Sequence, residues 1–313
     1  MSSWSRTWLE NLTNLDMIIA SISDYFDLNK LMGMLPNHSE HGKEIDHMLN
    51  FCHWFMLLLF VGWGSFFLYA IWRFRKSRHP NADYHGVRNH VSTHLEAGVV
   101  IIEAVILLGF ALPLWGKRVN EIPLGEQDNA LKIRAMGYQF GWFFHYAGPD
   151  GKFGRQHIRF IQGANVLGID PTDPDGADDI VVADQTMHLV NHKATVVRVS
   201  SRDVIHGFAL HEMRIQQDAI PGTEAPQWFR PVSTGKWQII CAQLCGANHS
   251  NMQATYVVEE QKEFDEWYQG QKDYTQGYLK RQADDIAKKA AEQKAATPHD
   301  AGHVGGHGEK KAH

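Results

Sequence analysis

The 313-residue chain is predicted to be a two-helix membrane hairpin followed by an all-β domain, a C-terminal helix and a low-complexity tail. Three observations predict this. An uncharged run fills Met48 to Trp72, and a second apolar run, Ala97 to Gly116, carries one charge, Glu103. From Ala130 to Glu259 short β-like runs alternate with turn signals. Beyond them Lys, Glu, Gln and Ala dominate as far as Ala296. The expected boundaries are 1–46 for an extracytoplasmic N-terminal segment, 47–116 for the hairpin and 117–260 for the β domain, then 261–296 for the helix and 297–313 for the tail.

The N-terminal segment is polar and mixed. Met17–Ile22 is too short, and too closely flanked by acids, for a secretory apolar core. Each apolar run that follows is long enough to cross a hydrocarbon core of about 30 Å. Trp54, Tyr69, Trp72 and Trp115 sit near the run ends, where interfacial anchors belong. Cys52 and His53 lie on the first run and read as helix-packing side chains. The connecting loop holds Arg73, Arg75, Lys76, Arg78 and Arg88 against one acid, Asp83. Short basic loops stay in the cytoplasm, so both chain ends are expected outside.

Pro123–Gly125 reads as a linker. The β runs beyond it include LKIRAMGYQFGWFFHY, ATVVRVSS, WQIICAQ and ATYVVEE, separated by turns such as GPDG and DPTDPDG. Many short strands at that spacing indicate a sandwich or barrel. The tail histidines His299, His303, His307 and His313 could bind metal weakly, but the composition reads as a solvated, disordered tail. A net charge of −5 gives no basic footprint for nucleic acid. Three cysteines, one of them on an apolar run, exclude a multi-disulfide framework.

Chemistry concentrates in Cys241-Ala-Gln-Leu-Cys245-Gly-Ala-Asn-His249-Ser-Asn-Met252. Thiolates with imidazole suit copper, zinc or iron–sulfur, and the thioether tilts the choice toward copper. A mononuclear blue-copper site uses one cysteine. The second cysteine here could bridge a second metal, which then needs a histidine from elsewhere. His206 follows the strong β run and can supply it; His211 is the rival, farther from that strand. A Cys241–Cys245 disulfide and a copper-delivery site remain alternatives, although both leave His249 and Met252 without a role.

The segment resembles the CuA loop of cytochrome oxidase subunit II, C-x-E-x-C-G-x-x-H-x-x-M. Asp203-Val204-Ile205-His206 matches the upstream D-V-x-H, and Gly137–Tyr146 resembles the aromatic stretch G-H-Q-W-Y-W-x-Y-E-Y. The resemblance covers roughly residues 45–260. It implies a cupredoxin Greek-key β-barrel holding a dinuclear copper A centre. Cys241 and Cys245 would bridge, His206 and Met252 would complete one copper, and His249 with the Gln243 carbonyl the other. It also implies electron input near Tyr138, Phe140 and Trp142, from cytochrome c or a membrane-bound donor complex. Electrons would pass to the haems of subunit I, with other oxidase subunits and membrane lipid as neighbours. The setting implied is the bacterial inner membrane with the copper domain on the periplasmic side, in an enzyme that reduces oxygen and pumps protons. No oxygen chemistry is expected in this chain alone.

Departures from the family pattern bear on this expectation. Gln243 replaces the family's glutamate, so a magnesium site beside subunit I is doubtful, because an amide is a weaker ligand for a hard cation. Phe140 replaces the tryptophan usually linked to electron input. No C-x-x-C-H motif is present, so no fused cytochrome c is expected. A copper-free quinol-oxidase subunit lacks this ligand set, and a nitrous oxide reductase needs a further catalytic domain. Glu96, at the cytoplasmic start of the second run, matches a family glutamate at the mouth of a proton path. Glu103 lies seven residues further, on nearly the same helix face. The family more often has proline there, so its role as proton relay or anchor rests on position alone.

Overall fold

The computed structural model describes residues 27–81, 84–85, 90–123 and 129–296. Met17–Ile22, the loop charges Asp83 and Arg88, most of the 123–125 linker and the tail histidines lie outside the described residues. The chain divides into two compact units, residues 1–145 with 182–266, and residues 146–181 with 267–313.

The first unit opens with a short helix α1 (Leu28–Leu31), capped by the Asp27 side chain. Helix α2 (Gly42–Arg73) follows. The second apolar run forms α3 (Val91–Ile106), a π turn (Leu107–Ala111) and α4 (Leu112–Asn120). The π turn falls where Pro113 cannot donate to the helical ladder. Both helical segments are long and apolar enough to cross a membrane. Phe60, Leu58 and Phe67 stand exposed, whereas a soluble core helix would bury them. Both segments thus have the length and the exposed apolar surface of membrane spans.

Polar residues at the start of α2 are satisfied by the chain that precedes it. The Asn50 side chain accepts from the Leu28 N–H at 2.9 Å. Asn29 donates to the Asp46 carbonyl at 2.8 Å, and its amide oxygen lies 2.8 Å from His53 Nδ1. His53 therefore packs α1 against α2, and Cys52 is a free thiol. Arg214, in the β domain, donates to both Asp46 carboxylate oxygens at 2.7 and 3.0 Å and to the Leu35 carbonyl at 2.7 Å. Its left-handed φ of 55° turns the chain there. One side chain thus ties the membrane helix, the strap before it and the β domain together.

The β domain is a two-sheet sandwich. Within the first unit one sheet runs β2 (Gly141–Tyr146), β1 (Leu131–Tyr138), β5 (Thr195–Ser201), β8 (Ala225–Phe229). The other runs β4 (Thr186–Val190), β10 (Gln253–Glu259), β9 (Gly235–Cys241), β6 (His206–Leu210), β7 (Ile215–Ala219). β1 pairs in parallel with β5 and β10 with β4, while the β9, β6 and β7 ladders are antiparallel. That crossed connectivity is of the Greek-key, cupredoxin kind. Alternation along β1 sends Leu131, Ile133 and Ala135 inward. They meet Trp142, Phe144, Phe208, Phe229, Ile239 and Tyr256, all fully buried.

The second unit holds two 3₁₀ turns (Ile158–Phe160 and Pro174–Gly176), strand β3 (Ile180–Val182) and most of helix α5 (Gln261–Ala296). Buried amides knit it together. Asn165 donates to Gln282 at 2.9 Å, and Gln282 donates to the Phe160 carbonyl at 2.8 Å. Tyr268 donates to the Asp178 carbonyl, and Gln276 to that of Asp179. The Arg155 backbone N–H donates to Asp173 at 2.8 Å and its guanidinium at 3.1 Å. These bonds outweigh burial and hold the Asp173 carboxyl below its ordinary 3.8.

A group lowered in this way stabilises the fold above its ordinary value and loses that contribution as pH falls through the folded value. Asp173→Asn should therefore weaken the second unit at neutral pH and flatten its acid unfolding below pH 3.8, as read by hydrogen exchange in Arg155 to Asp173. In the first unit, Arg214→Ala should cost about 2 kcal/mol, since charge-assisted bonds are lost. Proteolysis within residues 27–41 should then accelerate roughly tenfold or more; an unchanged cleavage rate would show that the strap is held elsewhere.

Candidate metal centre

The C-terminal end of β9 places Cys241, the loop after it places Cys245, a 3₁₀ turn (His249–Asn251) carries His249, and Met252 follows directly. His206 arrives from the first residue of β6, the neighbour of β9. Four segments that are distant in sequence or in backbone direction thus bring their donors to one place.

The donors form a mesh. Cys241 Sγ lies 3.7 Å from Cys245 Sγ and 3.2 Å from the Gln243 carbonyl oxygen. His206 Nδ1 lies 4.0 Å from Cys241 Sγ. His249 Nδ1 and Met252 Sδ each lie 3.7 Å from Cys245 Sγ. Both sulfurs belong to free thiols. Their separation is far from the S–S bond of about 2.05 Å. It suits two donors sharing one metal through bonds of about 2.3 Å. His206, Cys241 and Cys245 form a buried group able to hold a metal ion. His249 and His206 approach different sulfurs, so the donor set extends beyond a single three-ligand site.

Position and tautomer of His206 are set by Asp203. His206 Nε2 lies 2.8 Å from the Asp203 carboxylate, which leaves Nδ1 facing the thiols. Burial alone would raise Asp203, but bonds from the Gln139 N–H, His206 and the Val204 N–H hold it below the ordinary carboxylate range. Burial and the neighbouring Cys241 push the Cys245 thiol up to about 11. A metal must therefore displace protons to gain thiolate ligands.

The β1–β2 turn covers the loop. The Gln139 side chain donates to the Cys245 carbonyl at 2.6 Å. Gly246 has φ +138°, which side-chain-bearing residues rarely adopt, and an added Cβ would press on the Gln139 amide and the Phe140 ring. Gly207 is tighter, because an added Cβ would lie 2.7–2.9 Å from backbone atoms of Ala242 and Gln243. The loop therefore rests on β6 backbone to backbone.

The structure separates the sites that the sequence suggested. Tyr138 and Phe140 are partly exposed, on the turn above the loop. Trp142 is fully buried, edge-on to His206 with ring centroids 6.1 Å apart, and packed on Phe208. Its place is in the core beneath the donors, not in an exposed patch. The Gln243 side chain is exposed, and only its backbone faces the sulfurs. His211 sits in a 3₁₀ turn beyond the far end of β6. Glu96 and Glu103 are on α3, with Glu96 accepting from Ser92 Oγ at 2.7 Å. Sequence reasoning gave Asp203 no role, although its place three residues before His206 was a signal. Gly207 and Gln139 carried none.

Residues 131–260 match the family model for the cytochrome c oxidase subunit II periplasmic domain. The chain is 31% identical over 230 residues to an alternative cytochrome c oxidase subunit 2 of Bradyrhizobium diazoefficiens, covering 74% of this chain and 81% of that one. It is 30% identical over 215 residues to cytochrome c oxidase subunit 2 of Cereibacter sphaeroides, covering 64% and 67%. A crystal structure of the periplasmic domain of subunit II of cytochrome oxidase from Bradyrhizobium japonicum aligns at 32% identity and TM-score 0.34, covering 46% of this chain and 95% of that one.

Gly207→Ala tests the backbone contact. The added methyl should displace the 242–243 backbone at a cost of about 1–3 kcal/mol. The protein should keep its β-sheet circular dichroism and retain less copper on dialysis; full copper retention would mean that the loop has slack at this point.

Proposed function

The chain belongs to the cytochrome c oxidase subunit II family, and from that premise we propose that it is the electron-accepting subunit of a haem–copper oxidase, with a dinuclear copper A centre bridged by Cys241 and Cys245. Membership makes it a component of an oxidoreductase complex with a candidate copper site. The observation that carries the finer reading is the mesh of two thiols, two imidazoles, a thioether and a carbonyl, with neighbours 3.2–4.0 Å apart. When bound, the copper pair supplies a one-electron couple.

The residues of the chain do the rest. Cys241 and Cys245 would hold the copper as thiolates once they give up their protons. His206 and Met252 would supply the donors on one side, and His249 with the Gln243 carbonyl those on the other. Asp203 fixes the His206 ring. The ladder of β6 and β9, with the Gly207 contact, keeps the donors in place between oxidation states, so little reorganisation accompanies electron transfer. Trp142 and Phe208 exclude water from below. Tyr138 and Phe140 offer the partly exposed aromatic surface for electron input, and Trp142 lies between that turn and His206 in the core. The donor is cytochrome c or a membrane-bound donor complex, and the acceptor is the haem of subunit I, where oxygen is reduced with proton pumping. The location is a bacterial inner membrane, with the copper domain periplasmic. Glu96 admits protons at the cytoplasmic side, and Glu103 relays them or anchors the subunit. Gln243 gives at most weak magnesium binding.

Copper-loaded full chain should be purple, with one unpaired electron shared over two nuclei in the electron paramagnetic resonance spectrum. A single labile copper, or a blue mononuclear spectrum, would favour a delivery protein instead. Cys245→Ser should abolish the shared signal because a bridge is lost. Met252→Leu should keep it and shift the potential, since an axial thioether tunes more than it binds. In the assembled oxidase, Glu96→Ala should slow turnover several-fold while copper reduction by the donor proceeds at its normal rate; undiminished turnover would remove Glu96 from the proton path.

A further inference from the structure

A cavity of about 580 Å³ opens where the two membrane helices meet the β domain. His41 and Ile45 line it from the start of α2, Trp115 and Arg118 from α4, and Ile215 and Trp228 from the β domain. The cavity therefore lies at the outer membrane surface, at the helix ends joined to the extracytoplasmic domain.

Its polar groups are unevenly satisfied. Arg214 is matched by Asp46, and Lys117 by Glu44 at 2.6 Å. Arg118 makes no ion pair with a carboxylate among the described residues, although Glu44 and Glu121 act on it at longer range. Its guanidinium donates to the Trp228 carbonyl and stacks 4.1 Å from that indole ring, leaving further N–H donors unused. His41 is 8% exposed, and neither of its ring nitrogens has a hydrogen-bond partner. Burial, with Arg118 next in effect, pulls His41 down to about 3; the Arg214 backbone raises it slightly without reaching bonding geometry. The ring stays neutral and offers one N–H donor in a field made positive by Arg118. His41 is also the N-cap of α2 and makes no side-chain cap bond, so the positive helix end faces the same space. Native proteins rarely leave a buried imidazole without partners, so an absent ligand is indicated.

The walls define what that ligand is. Ile45, Trp115 and Ile215 give the cavity an apolar side. A neighbouring cavity of about 570 Å³ shares Ile45 and Ile215 and adds Met34, Leu35 and Leu49. Cationic and donor groups beside a continuous apolar wall, at membrane depth, suit an amphiphile with an acceptor-rich head. We propose that this cavity is a phospholipid site, in which Arg118 and His41 donate to the lipid phosphodiester and an acyl chain lies along Ile45 toward Leu49. The lipid would seal the junction between the membrane hairpin and the copper domain. This site does not depend on the copper reading.

The test uses the full chain in detergent, stripped of lipid and titrated with dioleoylphosphatidylglycerol under native mass spectrometry. One lipid should be retained roughly tenfold more tightly than dioleoylglycerol, which lacks the phosphate. That preference should vanish in Arg118→Gln and fall in His41→Phe, while copper content stays at the wild-type level. Equal retention of the two probes by the wild-type chain would overturn the proposal. So would displacement of the lipid by inorganic phosphate alone, which would make the ligand a soluble anion. The comparison of probes on the wild-type chain decides the matter even if a variant fails to fold.

Discussion

The backbone of the 241–252 loop rests directly on the backbone of β6 at Gly207, and the rest of the site depends on that contact. No side chain fits between them. The contact brings the two sulfurs of the loop to His206, one residue before Gly207 on the same strand. β6 in turn is held by β9 and β7, with Phe208, Ala209 and Leu210 buried. A donor set built on strands tied by ladder hydrogen bonds is more precise than one built on free loops. That rigidity suits the proposed electron transfer, because each change in geometry between oxidation states would add to the barrier.

Electrostatics complete what packing begins. The Asp203 carboxylate gathers bonds from Gln139, Val204 and His206, and so couples the turn above the site to the imidazole within it. Burial and the neighbouring Cys241 favour the neutral form of the Cys245 thiol. Metal and protons therefore compete, and metal binding and the final shape of the site are linked. Trp142 stiffens the base of the site through its edge contact with His206.

The helical hairpin joins the β domain through polar contacts as well as through the chain. Asp46, Asn50 and His53 at the start of α2 would be costly to expose to lipid. The strap of residues 27–41 and Arg214 satisfy them. The same junction leaves the cavity at Arg118 and His41. A hinge between a membrane anchor and a redox domain would let the electron path vary in length, so a fastened junction serves the proposed function.

The sequence by itself marked out the two apolar spans, the β domain and the loop that gathers most of the candidate donors. Those signals are local: uncharged runs fixed by membrane thickness, a basic loop, and donors within a dozen residues from Cys241 to Met252. His206 was preferred to His211 because it follows the strong β run more closely, and the structure places it at the first residue of β6 beside Cys241. What only the tertiary structure decided involves residues far apart in the chain. Trp142 proved to be core because β2 is buried on both faces, which no alternation in GWFFHY announces. Gly207 and Gln139 matter because β6 and the β1–β2 turn meet the loop across the sandwich. Residues 146–181 were read as part of the β domain, yet with most of α5 they make a second unit, joined by buried amides more than 100 residues apart. Periodicity reports which face of an element is apolar. It carries no record of which distant backbone will press against it, and that approach set the geometry of the site.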